Sequence, residues 1–345
     1  MSTGTLTETS AFFAERAAHV DSPDGDVRPG LAFLGARDLL GLGAGSDGGP
    51  GLVAAAELIE AVAGECLSSA FALWAHRMVL EYLARGRSGA LTGELAVRLR
   101  AGELTGSTAM ATALRDVAGI EPVPVRAEPT ATGLRLSGPI PWASNLFPGA
   151  VVVLPVRTGE GRAVVVVRVG DPGVTVAPAR PLLALNGTAS SSALLSDVDV
   201  PGDAVLSTDL AGFVAAFRPT FLVLQTAFCA GLAARSLDEA ERGLARADAE
   251  LAGDVAEHRR SAEALRARLR DLARDTRAEP VTAYIRLRLA AVRLAVAASR
   301  LESTVRGGAG YLATSGTSRR LREAAFLPIQ APTEGHLRWE LRHSA

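Results

Sequence analysis

The chain has 345 residues, 48% of them hydrophobic and 21% charged, the balance of a globular protein of about two domains and not of a disordered or collagen-like chain. Its 36 basic residues face 37 acidic ones for a net charge of −1, so no basic stripe marks a nucleic-acid surface. Every one of the 36 is arginine, which excludes a lysine Schiff base, pyridoxal-phosphate chemistry in its usual form, and a Gly-Lys-Ser/Thr phosphate loop.

Residues 1–102 read as helical. Leu52, Ala55, Leu58, Ile59 and Val62 recur at helical spacing, as do Leu73, Val79, Leu80 and Leu83. Gly41, Gly43, Gly45 and the run Gly48-Gly49-Pro50-Gly51 punctuate them. Gly41-Leu42-Gly43 is not a dinucleotide fingerprint, because no strand-rich run precedes it and no helix opens directly on it.

Residues 103–208 change period. Leu134 and Leu136 alternate with polar neighbours before Gly138-Pro139. Two β-branched runs, Val151 to Val156 and Val164 to Val169, flank Thr158-Gly159-Glu160-Gly161, and Asp171-Pro172-Gly173 turns into Val174-Thr175-Val176. Short strands at close spacing with Gly and Pro turns predict an antiparallel β-domain, a barrel or sandwich.

Residues 209–345 return to helix. Leu237, Leu244 and Leu251 repeat at intervals of seven, Leu265, Leu269 and Leu272 follow, and Ile285, Leu289, Val292 and Val296 mark another face behind a first-turn Pro280. Arginines fill the opposite faces as a solvated surface with acid–base pairs four apart. The apolar stretch Phe221 to Ala234 holds Gln225 and Thr226, too short and polar for a membrane span. Cys66 and Cys229, each in an apolar stretch, are expected as buried free thiols. Glu8, Glu15, Asp21 and Asp24 stand where a secretory leader has basic and apolar residues, and a cytoplasmic location is expected. No His/Cys/Asp/Glu cluster has metal-ligand spacing, and no Gly-x-Ser-x-Gly elbow occurs. Helix, then sheet, then helix is an α+β organisation, since the two segregate instead of alternating.

Local segments in this order resemble the acyl-CoA dehydrogenase superfamily. They include Leu39-Leu40-Gly41-Leu42-Gly43 with the helix after it, and Phe71-Ala72-Leu73-Trp74-Ala75-His76. Pro141-Trp142-Ala143-Ser144-Asn145 is similar to that family's Trp-Ile-Thr-Asn segment, and Asp197-Val198-Asp199-Val200-Pro201 to its exit strand. Gly307-Gly308-Ala309-Gly310-Tyr311 is similar to Gly-Gly-x-Gly-Tyr, and Arg319 to Ala324 to Arg-x-x-Arg-Asp-Ala. The resemblance spans about Leu31 to Leu341. It implies a helical domain at 1–102, a β-domain at 103–208 and a C-terminal four-helix bundle at 209–345. It also implies an FAD enzyme that forms a homodimer or homotetramer, with a neighbouring subunit closing part of each site. Trp142 and Ser144 match positions flanking the isoalloxazine, Thr333 one near the adenylate. Gly307 and Gly308 match a turn set against the adjacent subunit's FAD, with Arg306 before them as a pyrophosphate cation. As a bare reading, the two glycines are equally a helix-to-helix turn with Gly at positive φ.

Departures from the family pattern decide how far activity carries over. The family's base is a glutamate in Glu-Gly-Thr; ungapped counting from Arg322 puts Ala331-Pro332-Thr333 there. A three-residue insertion sets Glu334-Gly335 at Glu-Gly instead, with His336 beside it as a further acid–base candidate. The alternative base position on the long helix falls on Phe221. The family's Thr-Glu-x-x-x-Gly-Ser-Asp loop is replaced by residues 109–116, which leaves backbone contacts from Met110 and Thr112 to the flavin. No Arg-x-x-Phe-Gly follows Leu237; the nearest stretch is Arg246 to Glu250. His76 reads as a satisfied core histidine.

Three readings follow. One is α,β-desaturation of an acyl thioester on coenzyme A or a carrier protein, with Glu334 or a relocated group as base and an electron acceptor as partner. The second is a two-component monooxygenase, N-hydroxylating or S-oxidising a small substrate with O2 and flavin from a reductase. The third is a degenerate partner subunit without catalysis.

Overall fold

The structure is a computed structural model, and it describes residues 1–159, 161–244 and 250–344. Five helices come first: α1 Thr3–Val20, α2 Arg28–Gly35, α3 Pro50–Glu65, α4 Leu67–Arg85 and α5 Ala90–Arg100. Gly49 at φ +98 followed by Pro50 starts α3, using the left-handed freedom of one residue and the preset φ of the next. From Leu67 to Leu83 every residue of α4 is buried, and a helix covered on all faces is the core of its layer. Charge inside it is matched: Glu81 takes Arg77 Nη1 at 2.9 Å and Arg85 Nε at 2.5 Å, and accepts the Gly45 N–H at 2.9 Å. Arg77 Nε donates to Leu42 O. The glycine loop is therefore pinned to α4.

His76 ties three elements together. Its Nδ1 accepts the Gly106 N–H at 3.1 Å, so Nε2 carries the proton it gives to Leu99 O at 3.0 Å. Burial, reinforced by the Arg77 charge and only partly offset by the bond to Leu99, depresses its pKa to about 4. The unfolded chain takes up this proton below about 6.5, so the fold binds fewer protons between pH 6.5 and 4. Stability from this group is complete above pH 6.5 and falls as pH drops to 4, by about 3 kcal/mol in all. Thermal midpoints of the wild type and His76→Gln across that window should diverge in slope, the variant having lost this component.

The middle of the chain contributes β1 Gly106–Thr108, α6 Ala111–Val117, β2 Arg126–Pro129, β3 Gly133–Ala143, β4 Val151–Arg157, β5 Arg162–Arg168, β6 Val174–Val176, β7 Ser191–Pro201 and β8 Val205–Ser207. They form one sheet in the order β6-β7-β3-β2-β4-β5-β8, with β1 also on β4. The sheet is not wholly antiparallel: β1 and β2 both run parallel to β4. The chain re-enters the sheet beside β4 by way of α6, a crossover that permits parallel pairing. Strand β4 is covered on both faces over Val151–Val156, which explains its unbroken apolar run.

The C-terminal helices are α7 Leu210–Gly243, α8 Ala252–Arg274, α9 Val281–Gly310, α10 Gly316–Phe326 and α11 Glu334–His343. Helix α7 packs mainly on α9, α3 and α8, and α10 packs on α9 and α7. By length and composition α7 could cross a membrane, but 83% of its apolar window is buried inside the fold. The seven-residue leucine repeat is not one helix. Helix α7 ends at Gly243, Leu244 is its C-cap and Leu251 the N-cap of α8; Arg246 to Ala249 lie outside the described residues. Pro280 is the N-cap of α9 and not in its first turn. Val296 does not follow Val292 into the core: both border a groove beside Pro328 and Glu334, but Val296 is 37% exposed and Val292 only 3%. Both cysteines are free and buried, and burial pushes each thiol up to about 11.

Candidate active site

A cavity of about 530 Å³ lies between α4, the end of β3, residues 182–190, α7 and α10. Trp142 and Ser144 form one wall at the end of β3, and the indole is 49% exposed. Large apolar rings are seldom left so open on a strand end, and an indole facing a cavity is a ready platform for a flat ring. Asn145, at φ +62, fixes this strand end by donating to Ala72 O and Gly106 O.

The hydroxyls here have a determined proton order. Thr188 gives its proton to Leu185 O at 2.7 Å, so the 2.7 Å contact with Ser190 requires Ser190 to donate. The 2.6 Å contact between Ser190 and Ser144 then requires Ser144 to donate. Ser144 is left with a lone pair, not a proton, for the cavity.

A second wall is aromatic. Phe71 and Trp74 of α4 stack at 5.3 Å, Phe326 of α10 meets Phe71 edge-on at 5.0 Å, and Phe221 of α7 meets Trp74 edge-on at 5.0 Å. Such pairs add about 0.5–1.5 kcal/mol each beyond burial and hold the rings in fixed planes.

The third wall is Ile329, Gln330 and Ala331. Behind it Arg288 of α9 donates to Gln330 Oε1 at 2.9 Å, Gln225 Oε1 at 3.3 Å and Leu327 O at 3.3 Å. With their oxygens turned to the guanidinium, both carboxamides present N–H groups to Ala331 O, at 2.9 Å from Gln225 and 2.6 Å from Gln330. Arg322 closes the rim, where Asp21 takes it in two bonds of 2.5 and 3.0 Å.

Of the positions where a carboxylate was sought, Ala331 and Phe221 both face this cavity, and Glu334 and His336 do not. Glu334 opens α11 and pairs with Arg338 and, at 3.9 Å, with Arg293 beside another groove. His336 is buried with Nε2 2.9 Å from Glu340 Oε1, which also takes Arg218 at 2.5 Å. Burial works against the Glu340 charge, but the His336 and Arg218 contacts hold its carboxyl below the usual range. Both residues thus belong to ion pairs within α11, which Arg293 of α9 and Arg218 of α7 tie to the neighbouring helices. The reason lies in the chain path: Thr333 is the N-cap of α11, accepting the His336 N–H at 3.2 Å, so the helix turns residues 334 and 336 away from the cavity.

Met110 is buried as the N-cap of α6 and Thr112 is half-buried; Thr108 and Ala111 supply this segment's lining. Arg306, Gly307 and Gly308 are exposed and apart from this cavity. Gly307 has φ +55 and ψ −142 at a kink in α9, so its turn demands glycine, and a side chain at Gly308 would meet open space. Glu323 points to α4, accepting the Leu67 N–H at 3.2 Å; burial, against the Arg319 charge, pushes it up to about 7.

No family model matches the chain, and no curated protein matches it. Solved structures do. A glutaryl-coenzyme A dehydrogenase in complex with glutaryl-CoA superposes with a TM-score of 0.85 at 19% identity, covering 99% of this chain and 95% of that one. The chain has the acyl-CoA dehydrogenase fold. A probable acyl-CoA dehydrogenase from Mycobacterium abscessus superposes at 0.84, with 20% identity over 99% of this chain and 98% of that one. PigA with FAD and proline superposes at 0.82, with 17% identity over 100% and 98%. Of the residues around the cavity the sequence had named Trp142, Ser144, Ala331 and Phe221, and Arg322 only as a motif landmark, but not Thr108, Ser190, Gln330 or Arg288. Arg288 had a signal: it falls on the apolar face of α9, four residues before Val292, where an arginine must be buried.

Proposed function

We propose that the protein is an FAD-dependent oxidoreductase whose reaction uses no carboxylate base, the oxygenating reading and not the desaturating one. One observation carries this: among the described residues no Asp or Glu lines the cavity, and both positions where the family resemblance places the base hold Ala331 and Phe221. The residues present fit the cofactor. A half-exposed indole beside hydroxyls, opening on an apolar cavity of this volume, suits a flat heteroaromatic ring, and flavin complexes are known for PigA of the same fold. Bound FAD would supply two-electron redox chemistry and, once reduced, the activation of O2.

The chain's own groups divide the remaining work. Trp142 would pack against the flat ring. Ser144, with its proton committed to Ser190, can only accept a hydrogen bond; a flavin held beside it would be favoured in its reduced form, which carries an N–H at N5 where the oxidised ring has none. The aromatic wall and Leu182 to Leu185 exclude water from a reactive oxygen species. Partners on this reading are a flavin reductase and a second copy of the chain, which would bring Gly307 and Gly308 to the neighbouring flavin as the resemblance implies.

The test has two arms. The purified protein, supplied with FAD, should develop the visible flavin band and keep it under anaerobic addition of acyl-CoA esters. With a reductase, NADH and O2, it should yield an oxygenated product from a small substrate. Bleaching by an acyl-CoA ester would refute the base-free reading, and failure to take up FAD would leave the degenerate-subunit reading standing.

A further inference from the structure

We propose that the cavity is selective for a flat apolar monoanion, an aromatic carboxylate or phenolate, and that Arg288 is the positioning residue that makes it so. The inference rests on the reading above, in which Trp142 and Ser144 are the flavin's side of the cavity, and takes the facing aromatic wall as the substrate's side.

Shape selects the body of the ligand. Phe71, Trp74, Phe221 and Phe326 present four rings fixed at defined angles. A set of rings can also cage a quaternary ammonium, so charge must decide between the two.

The charges here are lopsided. Arg322 at the rim is neutralised by Asp21. Arg288 is 1% exposed and, among the described residues, is paired with no carboxylate. Its partners are two amide oxygens, one backbone carbonyl and the face of Phe228 at 5.6 Å, while its Nη1 has no hydrogen-bond partner among the described residues. The one titratable group acting on it is Cys229, kept a neutral thiol by burial. A guanidinium stays protonated even when burial lowers its pKa.

An uncompensated positive charge therefore sits one carboxamide behind the cavity wall. In a low-dielectric interior such a charge attracts an anion and repels an ammonium much more strongly than on the surface. Arg288 also fixes how the wall is polarised. Gln330 has its oxygen on the guanidinium and one N–H on Ala331 O, so its second N–H remains for a ligand oxygen. The Gln330 amide carries the effect of Arg288 to the ligand without Arg288 touching it.

The test is calorimetric titration of the FAD-supplied full chain with benzoate, benzamide and benzyltrimethylammonium, three probes that share a ring and differ in charge. Benzoate should bind at least about tenfold more tightly than benzamide, and the ammonium should not bind. Arg288→Met should remove the benzoate preference, so that benzoate binds no more tightly than benzamide, and Arg288→Lys should restore most of it. Loss of structure alone would weaken both bound probes together. The inference is overturned by equal binding of benzoate and benzamide, by ammonium binding, or by an Arg288→Met protein that keeps the preference. Where Arg288→Met fails to fold, the three-probe comparison on the wild type decides alone. Should the chain take up no flavin, the same titration without FAD separates this inference from the flavin reading, because the rings and Arg288 belong to the chain itself.

Discussion

On the base-free reading, Ala331→Glu should raise the acyl thioester dehydrogenase activity of the protein well above that of the wild type. Ala331 is half-buried on the cavity wall, and its carbonyl is held from behind by the amides of Gln225 and Gln330. A longer side chain there extends into open volume while the backbone keeps its anchor, so the substitution adds a carboxylate without moving the wall. Arg288, one residue behind, offsets part of the cost of charging it. Positioned general bases contribute about 10²–10⁴-fold to proton abstraction, and the gain should fall in that range. The measurement is the anaerobic rate of flavin bleaching with a short acyl-CoA ester. A wild type that bleaches as fast as the variant would place a working base elsewhere and overturn the base-free reading. A variant that binds FAD but never bleaches would show that the cavity cannot hold a thioester in reactive geometry.

What could be read from the sequence follows from how each signal arises. The helix–sheet–helix order was legible because period 3.6 and period 2 are local, and strand β4 advertised itself by four valines and a leucine-proline pair between Ala150 and Thr158. Its parallel pairing with β1 and β2 was not legible, since direction is set by how the chain returns to the sheet and leaves no mark on alternation. Trp142, Ser144, Ala331 and Phe221 were found because order and spacing placed them, and the structure sets all four around one cavity. Glu334 and His336 were attractive as chemistry, but their direction depended on where α11 starts. Thr333 decides that, and a threonine before Glu334 is an N-cap signal that favours this outcome. The hydroxyl order at Ser144 and the carboxamide order around Arg288 lay beyond any sequence reading, because each depends on partners tens of residues away.

Glu302→Leu should be the most destabilising single change outside the cavity, costing about 3–5 kcal/mol. Glu302 on α9 and Arg320 on α10 form a bidentate pair, with Nε to Oε2 at 2.9 Å and Nη2 to Oε1 at 2.5 Å. Their side chains are 0% and 7% exposed. This pair fixes the kink at Gly307 and the turn into α10, and α10 carries Arg322 and Phe326 to the cavity. Removing the carboxylate strands a guanidinium where water barely reaches; desolvation is then opposed only by the weaker charges of Glu239 and Glu323, and the cost exceeds what the pair itself contributes. The double variant Glu302→Leu/Arg320→Leu distinguishes these effects. It removes both charges, leaves neither stranded, and should recover most of the lost thermal midpoint. Recovery would assign the penalty to the orphaned cation. A double variant no more stable than Glu302→Leu would mean that the bidentate geometry itself sets the α9–α10 angle, and Phe326 and Arg322 should then lose their places in the cavity wall, read as loss of benzoate binding.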